Sequence, residues 1–123
     1  MSYSGHDVEM MRRTWLKRKE KKNLEEQKRK EEALRKAREI AQFLKNYYNI
    51  ESVYLFGSLA WRTKYTVHSD IDLYVKGFPE NKSYWAALAK SQRIAMPFPL
   101  NIVLEENARP GMKEKIETEG IIL

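Results

Sequence analysis

Cysteine is absent from this chain, histidine occurs only at His6 and His68, and the 123 residues include just 4 Pro and 5 Gly. Without cysteine there is neither a disulfide framework nor a thiolate zinc site, and two distant histidines cannot form a histidine cluster. No apolar run approaches the ~18 residues that a membrane helix needs, and the N-terminus lacks the apolar stretch of a secretory signal. A cytoplasmic protein with no membrane segment is the expectation. Its length suits one modest domain.

The net charge of +6 is not spread along the chain. Arg12 to Asn46 hold 14 Lys/Arg against 6 Asp/Glu, whereas residues 47–123 hold 9 of each sign. Basicity therefore belongs to one segment. That segment has no Pro or Gly up to Tyr48 and is dominated by Lys, Glu, Arg, Leu, Ala and Gln, all good helix formers. Between Lys17 and Glu32 its only apolar residue is Leu24, and Glu25/Arg29, Glu26/Lys30, Glu31/Arg35 and Glu32/Lys36 pair at i,i+4. From Leu34 the pattern becomes Leu34, Ala37, Ala41, Leu44 and Tyr48, with Ile40 beside them, a stripe at helical spacing. The second half docks on a core and the first half projects. Residues 1–11 carry no pattern that fixes a structure and are expected to be disordered.

After Asn49 the period changes. Val53–Phe56 is a β-prone run ending at Gly57-Ser58, and Ile71–Val75 is a second, stopping at Gly77-Phe78-Pro79. Leu59–Trp61 makes a helical turn. Asn81 or Ser83 caps a helix through Trp85, Leu88 and Ala89, closed by Pro97 and Pro99. Leu100–Leu104 is a third strand, and Met112–Glu119, led by Pro110 and stopped by Gly120, is a last helix. The fold class is α/β or α+β, a small sheet packed by helices behind a long basic N-terminal helix. The expected division is a tail and projecting helix over residues 1–33 and a folded domain over residues 34–123.

Two short motifs carry chemistry. Gly57-Ser58 lies where a strand gives way to a helical turn, a geometry that suits phosphate through backbone N–H donors, close approach at glycine and the serine hydroxyl. An ordinary strand ending reads the same way. Asp70 and Asp72, two apart on a strand, share a face, while Ile71 and Leu73 point into the core. Paired carboxylates repel and suit a divalent cation such as Mg²⁺, which takes oxygen ligands and substrate phosphates. A solvated strand edge, or Asp70 capping a turn, is the plainer reading of that pair.

The combination is more specific than either part. Val53-Tyr54-Leu55-Phe56-Gly57-Ser58-Leu59-Ala60-Trp61-Arg62, then Ser69-Asp70-Ile71-Asp72-Leu73, resembles the active-site pattern of the polymerase-β-like nucleotidyltransferase superfamily. In particular it is similar to the minimal nucleotidyltransferases, small prokaryotic proteins often encoded beside a HEPN-domain partner in toxin–antitoxin pairs. The resemblance covers about residues 34–123 and leaves out the helix before Leu34. It implies a palm-like mixed sheet and transfer of a nucleoside monophosphate, with ATP the expected donor of AMP, to a protein hydroxyl or an RNA end. Under the resemblance, Gly57 and Ser58 hold the β/γ phosphates, Asp70 and Asp72 bind Mg²⁺, and Arg62 or Lys64 neutralises the triphosphate unless they are merely solvated loop charges. A two-ion site is implied, one ion on the triphosphate and leaving group, the other on the attacking hydroxyl. A HEPN-domain protein is the implied partner, with this chain as its antitoxin, in a homo- or hetero-oligomer.

One position departs from the family. The approach Pro97-Phe98-Pro99-Leu100 leads to Asn101 where a third carboxylate usually stands. An amide offers one oxygen to a cation but is no base at ordinary pH. Glu105 shares its strand parity but lies about 13 Å further on at ~3.3 Å per residue. One ion rather than two is then the alternative, and nucleotide binding should survive better than transfer. An active enzyme and a catalytically weakened binding module or antitoxin subunit both fit.

Other residues have two readings each. Trp61, Tyr65, Trp85 and Phe98 could stack on a base, but Trp85 is expected in the core, as are Tyr47 and Tyr48. His68 is a metal ligand or acid/base candidate, or simply a hydrogen-bonding loop histidine. The basic helix, residues 12–46, is a solvated helix, an RNA- or DNA-binding arm, or a coiled-coil or partner-docking arm. Glu is interleaved throughout it and no aromatic lies between Lys17 and Gln42, which weighs against a dedicated nucleic-acid arm.

Overall fold

A computed structural model describes residues 3–123. The first element is a single helix, α1 (Gly5–Tyr48), of 44 residues, about 66 Å at 1.5 Å per residue. It starts well before the basic segment, so the expectation of disorder through residue 11 is corrected for Tyr3 onward; residues 1 and 2 lie outside the described ones. The cause is local. Ser4 Oγ accepts from the Asp7 amide at 3.2 Å and the Ser4 amide donates to Asp7 Oδ2 at 3.4 Å, a capping box that closes the first turn. Arg13 pairs with Glu9 one turn on at 2.7 Å. A helix already nucleated by its docked half extends at little further cost.

Docking begins where the stripe predicts it. Ala33, Ala37, Ile40, Ala41, Leu44 and Tyr48 are all buried. Asn49 then ends the helix in the left-handed region, at φ 56°. Tyr47, expected to pack, is instead 59% exposed because it faces away from that stripe.

The rest of the chain runs β1 (Ser52–Phe56), α2 (Ser58–Trp61), β2 (Ile71–Lys76), α3 (Tyr84–Ala95), β3 (Leu100–Leu104), a 3-10 turn (Glu105–Asn107), α4 (Pro110–Glu119) and β4 (Ile121–Ile122). The four strands form one mixed sheet in the order β3-β2-β1-β4. β1 is antiparallel to both β2 and β4, and β2 is parallel to β3, with α3 as the crossover between them.

Strand alternation divides the core in two. Val53, Leu55, Ile71, Leu73, Val75 and Ile102 face the layer made by α1 and α3. Tyr54, Phe56, Tyr74 and Val103 face the other way, where Ile116 of α4 covers them. Lys76 Nζ to Glu117 Oε1 at 2.5 Å ties α4 to the sheet on that second face. Met112, in the first turn of α4, borders the sheet end near Asp72, where the candidate residues gather.

One further expectation changes. Trp85 is 74% exposed rather than core. The face that α3 buries is Ala87, Ser91 and Ala95, small residues four apart that admit close contact with the alanines of α1, and Trp85 lies outside that row. Its ring rests instead edge-on against Tyr84, with centroids 5.1 Å apart. β4, which the sequence pattern did not announce, follows directly on Gly120. A Cβ at Gly120 would sit 2.5 Å from the Ile116 carbonyl oxygen and 3.2 Å from that of Leu55. Glycine therefore lets α4 hand over to a strand lying against β1, and the Leu123 amide completes the pairing on the Val53 carbonyl at 2.9 Å.

Candidate active site

Three strand ends meet at one edge of the second face. β1 runs toward this end and β2 away from it, so Phe56 lies opposite Asp72; β3, parallel to β2, places Asn101 opposite Asp72 on the other side. The Ile71 amide donates to the Pro99 carbonyl at 2.9 Å and fixes where β3 enters. Period-2 alternation sends Ile71 and Leu73 into the core, both fully buried, and turns Asp72 to the open face.

The phosphate-turn candidate touches the acid pair. Gly57 has φ 72° and ψ −152°, a region essentially reserved for glycine. A Cβ built there would collide with the Asp72 carboxylate, so the missing side chain is required on two counts. Gly57 also supplies the carbonyl that starts α2, accepting from the amides of Ala60 at 3.1 Å and Trp61 at 2.9 Å. Ser58 is the first residue of that turn, and buried Leu59 anchors it to the core.

Asn101 sits between the acids. Its Nδ2 donates to Asp72 Oδ1 at 3.0 Å and to Asp70 Oδ2 at 3.2 Å, so one amide holds both carboxylates on a common point. Burial pushes the Asp72 carboxyl up from its ordinary range; the Asn101 hydrogen bond opposes this and the Asp70 charge adds to it. Beneath the pair, Tyr65 is fully buried, and its hydroxyl has no hydrogen-bond partner among the described residues. Burial raises that phenol to about 12, Arg29 pulling it down and Asp70 and Asp72 pushing it up. A cleft of about 370 Å³ opens beside Asp72 and Asn101, with Phe56, Val103 and Met112 in its wall.

No third acid joins the pair. Among the described residues no three Asp, Glu or His side chains could share a metal ion. Glu105 is committed elsewhere: it accepts from the Gly77 amide at 3.1 Å and lies 3.8 Å from Lys113 Nζ, beyond the opposite end of β2. Even so, two convergent carboxylates suit one Mg²⁺, which commonly keeps waters and substrate phosphates in its other positions. Rotating the Asn101 side chain by half a turn would offer its oxygen in place of its N–H groups.

The remaining candidates separate. Arg62 and Lys64 are exposed on the loop after α2 and line a recess of about 430 Å³ that reaches Ser69, next to Asp70. His68 is exposed in a different cavity, against Glu25 and Glu26 of α1. Trp61 is engaged rather than free: its Nε1 donates to the Glu119 carbonyl at 3.1 Å, and Lys115 Nζ lies 4.6 Å from its ring centre. Tyr65 and Phe98 are buried against each other, at 6.1 Å between centroids, and present no face to a base.

Two residues escaped the sequence reading. Lys30 Nζ donates to the Arg62 carbonyl at 3.1 Å and Arg29 Nε to the Thr66 carbonyl at 3.2 Å, so α1 straps the loop that carries Arg62 and Lys64. Arg29 also lays its guanidinium 4.9 Å above the Phe98 ring. Both lie one turn ahead of Ala33 on the same helix face, and carrying the stripe one turn back would have found them.

Residues 38–123 match the family described as Polymerase beta, Nucleotidyltransferase. The chain belongs to the polymerase β nucleotidyltransferase family. The matched span takes in Gly57, Ser58, Asp70, Asp72 and Asn101, while Arg29 and Lys30 lie ahead of it. No curated protein sequence matches the chain. A crystal structure from Sulfolobus solfataricus, provisionally named a nucleotidyltransferase, is 25% identical with a TM-score of 0.48, covering 82% of this chain and 85% of that one. Asn101 lies inside the matched span, and most of α1 lies ahead of it.

Proposed function

We propose that this protein binds one nucleoside triphosphate, ATP, as its Mg²⁺ complex and transfers the nucleoside monophosphate to a hydroxyl. The acceptor is a protein side chain or an RNA end, and a HEPN-type partner, with this chain as its antitoxin, is the proposed physiological setting. One observation carries the reading: Gly57 lies in contact with the Asp72 carboxylate, so a backbone able to approach phosphate adjoins a convergent acid pair.

In the transfer the acceptor oxygen bonds to the α-phosphorus, the bond to the β-phosphate bridging oxygen breaks, and pyrophosphate leaves. Asp70 and Asp72 would hold Mg²⁺, which when bound would supply positive charge against the triphosphate and the departing pyrophosphate. Arg62 and Lys64 add two cations from the neighbouring loop, and Gly57 admits the phosphates to the backbone. Asn101 keeps the two carboxylates converged but has no atom that takes a proton, so the acceptor proton passes to solvent.

That same amide favours a second reading, a module that binds nucleotide and transfers it slowly or not at all. The two separate on Asn101→Asp, assayed with labelled NTPs, Mg²⁺ and either RNA or a HEPN-type protein as acceptor. Under the proposal the wild type transfers label and the variant is faster, by about 10²-fold if the new carboxylate serves as general base. Transfer by the variant alone, with none by the wild type from any NTP, would establish the binding module instead.

A further inference from the structure

We propose that the projecting half of α1, together with the loop after α2, forms a binding site for single-stranded nucleic acid. The site lies ahead of the family-matched residues 38–123 on its helix side and is independent of whether transfer occurs.

Trp15, Arg18, Lys19 and Lys22 recur at i, i+3, i+4 and i+7, on one face of the helix. That face is the one that buries Ala33, Ala37, Ile40 and Leu44 further along, continued past the edge of the domain. The loop comes up to meet it. Trp15, Arg18, Lys19, Lys22 and Lys64 line one recess of about 340 Å³, and Lys64 is shared with the adjoining recess of about 430 Å³ that holds Arg62 and ends at Ser69. The straps from Arg29 and Lys30 keep the loop at this distance.

Charge decides the occupant. No carboxylate lines either recess, and among the described residues none of Arg18, Lys19, Lys22, Arg62 and Lys64 forms an ion pair. Glutamates do interrupt the basic sequence, but Glu20 lies off this face, and Glu25 and Glu26 open onto the neighbouring cavity beside His68, which Lys22 also borders. Five cations without a carboxylate make a surface for a polyanion with evenly spaced charges, which is what a nucleic-acid backbone provides. Trp15 points to a single strand. It is 59% exposed beside the cations, held by Lys19 Nζ at 5.1 Å from its ring centre, and a large aromatic face stacks on unpaired bases whatever their identity.

The test uses the full chain and fluorescence anisotropy with labelled single-stranded RNA and DNA of about 12 nucleotides and the matching DNA duplex, titrated between about 50 and 200 mM salt. Replacing Arg18, Lys19 and Lys22 together by Gln should weaken binding at least about tenfold and flatten the log–log salt slope by about 2, since each phosphate neutralised on a single strand adds ~0.7 to it. Replacing Lys17, Lys21 and Lys28 by Gln removes the same charge from the opposite face and should cost less than about threefold. Gln keeps the helix, checked by circular dichroism. Trp15→Ala should weaken binding about fivefold or more. Binding of MgATP, the readout of the proposed function, should be unchanged in every variant, so the two ideas fail separately. Equal losses from the two triple variants would reduce the effect to bulk charge and overturn the site. So would the absence of oligonucleotide binding by the wild type at about 50 mM salt, which would leave the face to an acidic protein. Preference for duplex, or indifference to Trp15→Ala, would overturn the assignment to a single strand.

Discussion

Gly57→Ala is expected to unfold more readily than the wild type and to lose MgATP binding altogether. A backbone at φ 72° and ψ −152° costs an alanine about 1–3 kcal/mol, and relief of that strain would move the turn on which α2 begins. The added methyl also runs into the Asp72 carboxylate, so either the acid or the strand end must shift. Since catalytic geometry tolerates displacements of only about 0.5 Å, the binding loss should be far larger than the stability loss. Gly111→Ala is the matched control: its Cβ meets no atom within 4 Å, and φ is not in the left-handed region. It should stabilise the fold by about 0.4–1 kcal/mol through the unfolded chain and leave nucleotide binding intact. Urea denaturation and isothermal titration with MgATP on both variants measure the contrast; retained binding in Gly57→Ala would sink the role given to that turn.

Asp72→Asn should move stability and binding in opposite directions. In the metal-free protein the Asp72 carboxyl is raised, by burial first and by the Asp70 charge as well. The linkage follows in sign. A carboxyl with its folded pKa above its unfolded pKa destabilises the native state once the pH rises through that interval, and the penalty persists at neutral pH. Protonation removes it, so this group alone makes the metal-free fold gain stability as the pH falls from neutrality toward the aspartate range. Asparagine mimics the protonated form. The variant should therefore be more stable than the wild type at pH 7, by about 1 kcal/mol, with the difference shrinking in acid. It should also fail to bind MgATP, because the cation loses one of its two carboxylates. Denaturation curves at pH 7 and about pH 4 test the first half. A variant less stable than the wild type at pH 7 would show that the acid pair is not a source of strain.

Much of the architecture was legible because its signals were periodic. Leu34 to Tyr48 announced a docked helix, and Val53–Phe56, Ile71–Val75 and Leu100–Leu104 announced strands, since alternation and 3.6-residue spacing survive in a sequence of any origin. β4 was not legible, because Ile121 and Ile122 are too few to display a period and exist as a strand only against β1. Trp85 misled for a related reason. Bulk and apolarity suggested core, whereas the packing of α3 on α1 calls for small residues, and Ala87, Ser91 and Ala95 provide them.

The candidate site divides the same way. Gly57-Ser58 and the Asp70/Asp72 pair stood out as candidates by residue type at the ends of apolar runs, whereas Asn101 entered only through the resemblance to the family. Their mutual geometry could not be read. That one amide bridges two carboxylates follows from the parallel register of Asp72 with Asn101, and that Gly57 bears on Asp72 follows from the antiparallel register with Phe56. Tyr65 sits in a loop where no period applies, so its burial beneath the acids came only with the fold.

The unbroken course of α1 sets a rule about length. Each residue turns the helix by about 100°, so the basic face and the buried stripe keep their alignment only while the residues between Lys22 and Ala33 stay in phase. Losing one would swing Arg18, Lys19 and Lys22 a quarter turn and more away from Lys64, although the folded domain itself were unaltered. Losing seven would restore the bearing to within about 20° while drawing Trp15 about 10 Å closer to the sheet. The helix thus acts as a ruler graduated in turns, on which only a change of whole heptads keeps the bearing of the basic face, while any change moves it along the axis relative to Lys64.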